Sequence, residues 1–314
     1  MEGTVINKRE ISCRLIKMRK IIYFFVFFLF FNSVSAQNDS NPVLVTINGK
    51  TISRSDFEYI YNKSCSIAGV EEPSLKDVLK MFVDYKLKVL DAEDMGMDTT
   101  FLFKNELAGY RQQVAEEYLP DTIIDNKVAK AQYDSLKIIG VIAPEQSFSS
   151  MKQRLIHFYA VRHGGITPGM KAMIDRVRKN DVSLANKSDM DVILYENDNL
   201  EKNYPDFANL MREYHDGILL YDISSLKIWN KVFTDTIGLE WYFHKNRKKY
   251  KWRVPQVPGK KKKKYPDNYN EVKSLVVADY EIYLDKEWID NLRKKYKVEI
   301  NEQVLKTVND HNND

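Results

Sequence analysis

An Asn-Gly pair sits inside the β-branched run Val43-Leu44-Val45-Thr46-Ile47-Asn48-Gly49-Lys50-Thr51-Ile52, and a further alternating segment, Lys297-Val298-Glu299-Ile300, lies near the opposite end of the 314-residue chain. Asn and Gly both tolerate positive φ, so the first run is expected to fold as a hairpin. A two-stranded hairpin is marginal in water, and a single strand has no partner of its own. The simplest solution pairs Val298–Ile300 with the hairpin. That pairing forces the beginning and the finish of the chain into one body.

The intervening sequence reads as helix. Ser53 with Asp56, or Ser55 with Glu58, has capping-box spacing for a helix bearing Phe57 and Ile60. Ser74 is placed to cap a second helix, with Leu75, Val78, Leu79, Phe82, Val89 and Leu90 at three- and four-residue spacing, ended by Gly96. Asp98-Thr99-Thr100 opens a third through Leu107, Tyr110, Val114 and Tyr118, stopped by Pro120. These last two are expected to form a helical hairpin.

Further along, Ile124, Val128 and Leu136 suit a helix, Gly164-Gly165 a turn, and Thr167-Pro168 the cap of a helix through Met170, Met173, Ile174 and Val177. From Pro205 a long strut carries Phe207, Leu210, Met211, Tyr214 and Ile218 toward Trp229, with Gly217 as its weak point. Leu239, Tyr242 and Phe243 mark a short helix. Val277, Tyr280, Leu284, Trp288, Leu292 and Tyr296 define a long one before the last strand. The fold class is therefore mainly α with one small β element.

Residues 18–36 have the form of a removable secretory signal: Met18-Arg19-Lys20, an apolar run from Ile21 to Phe31, then Val34-Ser35-Ala36, with cleavage expected between Ala36 and Gln37. The apolar run is shorter than the roughly 20 residues a membrane span needs, so no stable span is expected after its removal. Residues 1–17 read as an upstream extension, with Met18 an alternative start. An exported, periplasmic chain follows.

Residues 1–36 hold six of the 48 Lys and Arg and two of the 44 Asp and Glu, so the remainder is formally neutral. The basic pI belongs to the leader and does not indicate nucleic-acid binding. Cys13 leaves with the leader and Cys65 stands alone, which excludes an internal disulfide, a CxxC pair and a cysteine zinc cluster. Cys65 reads as a packed small apolar residue.

His157, His163, His215, His244 and His311 show no HExxH spacing or zinc-ligand set, and the sequence has no Walker loop, GxGxxG or GxSxG. No catalytic residue, metal ligand or cofactor site is assigned. Tyr250 to Tyr265, with Pro255, Pro258 and Lys260–Lys264, indicates a solvated loop. The functional reading of the same loop is a basic arm in which Trp252 and Tyr265 grip an acidic or single-stranded partner.

What remains is aromatic and apolar surface, with 19 Tyr, 15 Phe and 4 Trp. A helical body that cannot close all its elements on one centre leaves grooves suited to extended apolar segments of other chains. Tyr204, Tyr214, Trp229, Trp252 and Tyr265 are the candidates to line such a groove.

The order of Ile47-Asn48-Gly49, Ser55-Asp56-Phe57, Tyr85-Lys86-Leu87-Lys88-Val89-Leu90, Asp98-Thr99, Glu106-Leu107, Tyr110-Arg111-Gln112-Gln113 and Tyr118-Leu119 resembles the N-terminal chaperone domain of SurA-like periplasmic proteins of the Bacteroidetes type. Glu213-Tyr214-His215-Asp216-Gly217-Ile218-Leu219-Leu220 and Trp288-Ile289 to Val298 resemble the segment that completes that domain. The resemblance implies an N-terminal part over 37–120, a helical middle over 121–204, and a C-terminal part over 205–314 that closes the body. It also implies ATP-independent binding of unfolded outer-membrane or secreted proteins.

Most relatives insert parvulin prolyl-isomerase domains into this body. Here 121–216 lacks the expected Gly-Gly-x-Leu-Gly pattern, and Leu155-Ile156-His157-Phe158 only echoes the histidine-bearing first strand of that module. Three readings stand: a holdase, a diverged prolyl isomerase using His157 and His163, and a structural partner that dimerises with itself or a related chaperone.

Overall fold

The structure, a computed structural model, describes residues 41–65, 74–254 and 263–308. Residues 1–40, with the expected signal and its Ala36–Gln37 cleavage point, Lys260–Lys262 and His311 lie outside these residues. The chain is mainly α-helical with one three-stranded antiparallel sheet of order β2-β1-β3.

Strands β1 (Val43–Ile47) and β2 (Lys50–Ser53) form the hairpin, and Asn48 and Gly49 both take positive φ, at 49° and 84°. Strand β3 (Val298–Ile300) pairs with the other edge of β1, placing Val45 opposite Ile300 and Ile47 opposite Val298. The expected meeting of the chain ends is present. As the central strand, β1 buries Leu44, Val45 and Ile47.

Ser53, the last residue of β2, caps α1 (Arg54–Cys65): Asp56 N–H donates to Ser53 Oγ and Ser53 N–H to Asp56 Oδ2, both at 3.2 Å. Of the two spacings open in the sequence, Ser53 with Asp56 is the capping box. Helix α2 (Leu75–Asp94) has Ser74 as its N-cap. Gly96, at φ 72°, and a 3₁₀ turn at Met97–Thr99 then lead to α3 (Phe101–Tyr118), capped by Thr100.

Beyond Pro120 come α4 (Thr122–Ile138), α5 (Phe148–Arg162), α6 (Pro168–Asn180), α7 (Asp189–Asp198) and the short α8 (Leu200–Asn203). Helix α9 (Pro205–Ser224) passes through a π-helical turn at Ser225–Trp229 into α10 (Asn230–Thr234). Helices α11 (Thr236–Asn246) and α12 (Lys273–Lys295) precede β3, and α13 (Glu302–Leu305) follows it.

Two expectations need correction. Helices α2 and α3 make no extended hairpin: they barely touch each other, and α9 packs against both. Gly217 does not interrupt the strut; the helix runs through it and widens instead at Ser225–Trp229. Helical glycine costs only about 1 kcal/mol, which neighbouring packing easily exceeds.

The main core joins β1, α1, α2 and the second half of α9 to α10, α11 and α12, around Phe57, Leu87, Leu219, Ile223, Phe243 and Val276. Three smaller cores lie between α4 and α5, between α6 and α7, and where α3 meets α8 and the start of α9. The helices between Asp121 and Tyr204 thus bury apolar stripes mostly against one another.

One close approach organises that middle stretch. Buried Asp125 on α4 accepts from Gly169 N–H at 2.7 Å and Thr167 Oγ1 at 3.1 Å, holding the start of α6 against α4. A Cβ on Gly169 would stand 2.3 Å from the Asp121 carbonyl oxygen. Gly169→Ala is therefore expected to destabilise the α4–α6 junction by about 2–3 kcal/mol, within the range of overpacked sites. Faster amide exchange in α6, with α12 unaffected, is the measurement that checks it.

Candidate apolar binding surface

The five aromatic candidates fall into three settings. Tyr204 and Tyr214 belong to the small core around Phe207: Tyr214 stacks on Tyr110 at 4.8 Å between ring centres, and Tyr204 meets Tyr118 edge-on at 5.8 Å. The Tyr204 hydroxyl donates to Glu196 Oε1 at 2.9 Å and accepts from Arg176 at 2.6 Å. Trp229 is half-buried against the main core beside Tyr221. Trp252 is 54% exposed, and its N–H donates to the Lys264 carbonyl at 2.7 Å, beside Tyr265. Tyr250 and Val254 beside it are buried, and residues 255–262 of the expected solvated loop lie outside the described residues.

The strut acts as a joint. Glu213 on α9 takes Lys63 at 2.8 Å and the Tyr59 hydroxyl at 3.2 Å from α1. Asp216, one residue beyond His215, takes Lys86 of α2 at 2.6 Å and His215 Nδ1 at 2.9 Å, while His215 packs edge-on against Phe103 of α3. Burial pushes the Asp216 carboxyl up, but His215 and Lys86 outweigh it and hold the group below the usual carboxylate range. The hydrogen bond to Asp216 raises the His215 imidazole. Tyr85, buried beside Asp216, is raised far above the ordinary phenol range. These groups clamp three helices onto α9.

Buried Asp91 on α2 is likewise occupied, accepting from Trp288 Nε1 and Lys295 Nζ at 3.0 Å each. It lines a cavity of about 390 Å³ with Lys227, Lys231 and Glu287. Lys295 and the adjoining Tyr296, whose hydroxyl is pushed up to about 12 chiefly by burial, fasten α12 to Asp91 and Asp94. Among the described residues no group of His, Cys, Asp and Glu is arranged to hold a metal ion. His157 is exposed on α5, a helix rather than a strand, and His163 stacks on Tyr159 at 3.9 Å.

The most extended aromatic surface lies where α11 packs on α12. Tyr280 and Tyr283 stand 6.0 Å apart with rings nearly parallel, Tyr242 reaches both at 5.6 and 5.5 Å, and Trp241 lies on Tyr283 at 5.5 Å. Asp235 sets the geometry. As N-cap of α11 it accepts from Gly238 N–H at 2.8 Å, and its other oxygen accepts from the Tyr280 hydroxyl at 2.7 Å. The Tyr280 bond holds the Asp235 carboxyl below its ordinary range. Gly238 leaves room for this arrangement, since a Cβ there would fall 2.1 Å from that hydroxyl and force the two side chains to move.

The inner rings of this cluster are buried and the outer ones are not. Trp241 is 45% exposed, Ile237 one turn earlier is 82% exposed, and Ile282 beside Tyr283 is 68% exposed. Lys245 lies 4.6 Å from the Trp241 ring centre and keeps the indole face partly covered. Exposed apolar groups on a rigid aromatic base can hold a partner's side chains by area burial, with no chemistry. Sequence reading passed over these residues because Val277, Tyr280, Leu284 and Trp288 already account for the buried stripe of α12. Ile282 and Tyr283, apolar yet off that stripe, were the legible sign.

No protein-family model matches this chain, and neither a curated protein nor a solved structure matches it significantly. Among the described residues no helix is long and apolar enough to cross a membrane.

Proposed function

We propose that this chain is an ATP-independent periplasmic holdase of the SurA-like kind, binding extended segments of unfolded outer-membrane or secreted proteins. The observation that carries the reading is the aromatic face formed as α11 packs on α12, where Trp241, with Ile237 one turn earlier, offers apolar area to a partner on a base held by the Tyr280–Asp235 bond. The export signal of residues 18–36 and the ordered blocks shared with SurA-like chaperones support it. Buried apolar area contributes about 25 cal/mol per Å², offset by the cost of ordering the client, so binding is promiscuous and in the micromolar range.

The test is aggregation of a chemically unfolded β-barrel protein diluted into buffer. The chain from Gln37 onward, which holds every described element, is expected to slow aggregation at stoichiometric ratios. Trp241→Ala is expected to weaken client binding about tenfold, the effect of losing one central aromatic anchor, while melting within a few degrees of the parent. Unchanged aggregation with the parent protein refutes the reading.

A further inference from the structure

Charge is segregated at the C-terminal end of α11. From Lys245 to Lys264 the sequence has eleven basic residues and no acidic one, in a chain that is formally neutral after residue 36, so the rest of it is net acidic. Eight of the eleven are described. Three turn inward to partners: Arg247 to the Pro266 carbonyl and Asp267, Lys249 to Asp279, and Lys263 to Asp267 and Glu271. Lys245, Lys248, Lys251, Arg253 and Lys264 have no described carboxylate within ion-pair distance. Between Lys251 and Arg253 stands Trp252, exposed and at φ 61°, a left-handed conformation that costs a residue other than glycine about 1–2 kcal/mol.

The fold maintains that strained position. The bond from Trp252 N–H to the Lys264 carbonyl ties the two sides of the loop together, while Tyr250 is buried, stacks on Phe243 at 6.0 Å, and donates its hydroxyl to Asp279 at 2.9 Å. The indole is thus held outward on a fixed base, flanked by cations.

We propose that this basic face docks the protein on an anionic membrane surface, with the lysines meeting headgroup phosphates and Trp252 seated at the headgroup level. Of the five described cations without such a partner four are lysine, whose point charge suits a diffuse plane of phosphates more than bidentate readout of one group. An indole with an apolar body and one N–H donor is at home in the interfacial layer. A single-stranded nucleic acid would call for successive stacking platforms, and here the rings nearest Trp252 among the cations are taken, Trp241 partly covered by Lys245 and Tyr265 half-buried under Lys264.

The experiment is co-sedimentation of the chain from Gln37 onward with phosphatidylglycerol-containing vesicles and with pure phosphatidylcholine vesicles, at low and high salt. Binding to the anionic vesicles alone is expected, falling with salt, with a blue shift of tryptophan emission. Each basic residue near the surface is worth about fivefold in partitioning, so Lys248→Gln, Lys251→Gln and Arg253→Gln combined are expected to lower binding about a hundredfold. Trp252→Phe removes the emission shift. All these substitutions are on exposed side chains, and circular dichroism checks that they fold.

Equal binding to both vesicle types, or an unchanged triple variant, overturns the proposal. So does displacement by inorganic phosphate at millimolar concentration, which points to a small-anion site, or stronger binding to single-stranded DNA or poly-glutamate than to vesicles. Trp241→Ala, which weakens client binding, leaves vesicle binding intact, so the two functions fail separately.

Discussion

Ending the chain at Tyr296 is expected to cost the main body more than roughly 5 kcal/mol of stability, a large part of what a domain of this kind has. The truncation removes β3, leaving β1 without the bonds to Val298–Ile300, and it removes the bonds from Asn48 N–H to the Lys297 carbonyl and from Asn301 N–H to the Leu44 carbonyl. Each such bond contributes about 1 kcal/mol net. It also removes Leu305 and Val308 from the core, each worth about 1.5–3 kcal/mol. The total exceeds roughly 5 kcal/mol, set against a typical domain stability of 5–15 kcal/mol. Urea titration followed by circular dichroism reads it directly, and a truncated chain with the parent's midpoint would show that the ends are not joined. Glu299→Thr, on the exposed edge strand, is the control and is expected to stay within about 0.5 kcal/mol.

Asp216→Ala should cost about 3 kcal/mol, because Lys86 and His215 lose the carboxylate that compensates them where α2, α3 and α9 meet. The pH dependence has a definite sign. His215 is raised in the folded state, so its contribution is complete below its ordinary value of about 6.5 and is lost as pH rises through the folded value. Asp216, Glu93 and Asp98 face it, and Lys86 pairs with Asp216 beside it. Asp216 is depressed, so its contribution is present above about pH 4 and disappears as pH falls through the folded value. Stability of the parent is therefore expected to decline as pH is raised above about 6.5, and Asp216→Ala to flatten that decline. A variant as stable as the parent, with the same pH profile, would remove Asp216 from the role of joint.

The two predictions differ in how far ahead the sequence announces them. Pairing of Val298–Ile300 with the first hairpin was legible because a lone strand needs a partner and one edge was on offer. The α9 joint was not. Glu213 and Asp216 looked like solvated helix carboxylates, and nothing in their spacing signals that Lys63, Tyr59 and Lys86 arrive from other helices. Periodicity reports which side of a helix is apolar and says little about which neighbour covers it. That is also why α2 and α3 looked like a hairpin, when α9, from far along the chain, packs on both.

The aromatic candidates divide along the same line. Tyr204 and Tyr214 read as groove residues by type, yet Tyr110 stacks on Tyr214 and Tyr118 meets Tyr204 edge-on within the small core around Phe207. Trp241 and Tyr283 went unremarked although they belong to a cluster of four aromatic rings. A side chain's identity fixes how much area it has to bury, and only its neighbours decide how much of that is used.

By itself, then, the sequence determined what local chemistry controls: the Asn48-Gly49 turn through positive φ, the caps at Ser53, Ser74, Thr100 and Thr167 through a hydroxyl beside free N–H groups, and the apolar stripes of the long helices. Only the tertiary structure decided which stripes meet, which carboxylates go inside with a cation, and which of the aromatic rings stay exposed. Those outcomes depend on contacts between residues far apart in the chain, whose energies arise only after the backbone is assembled.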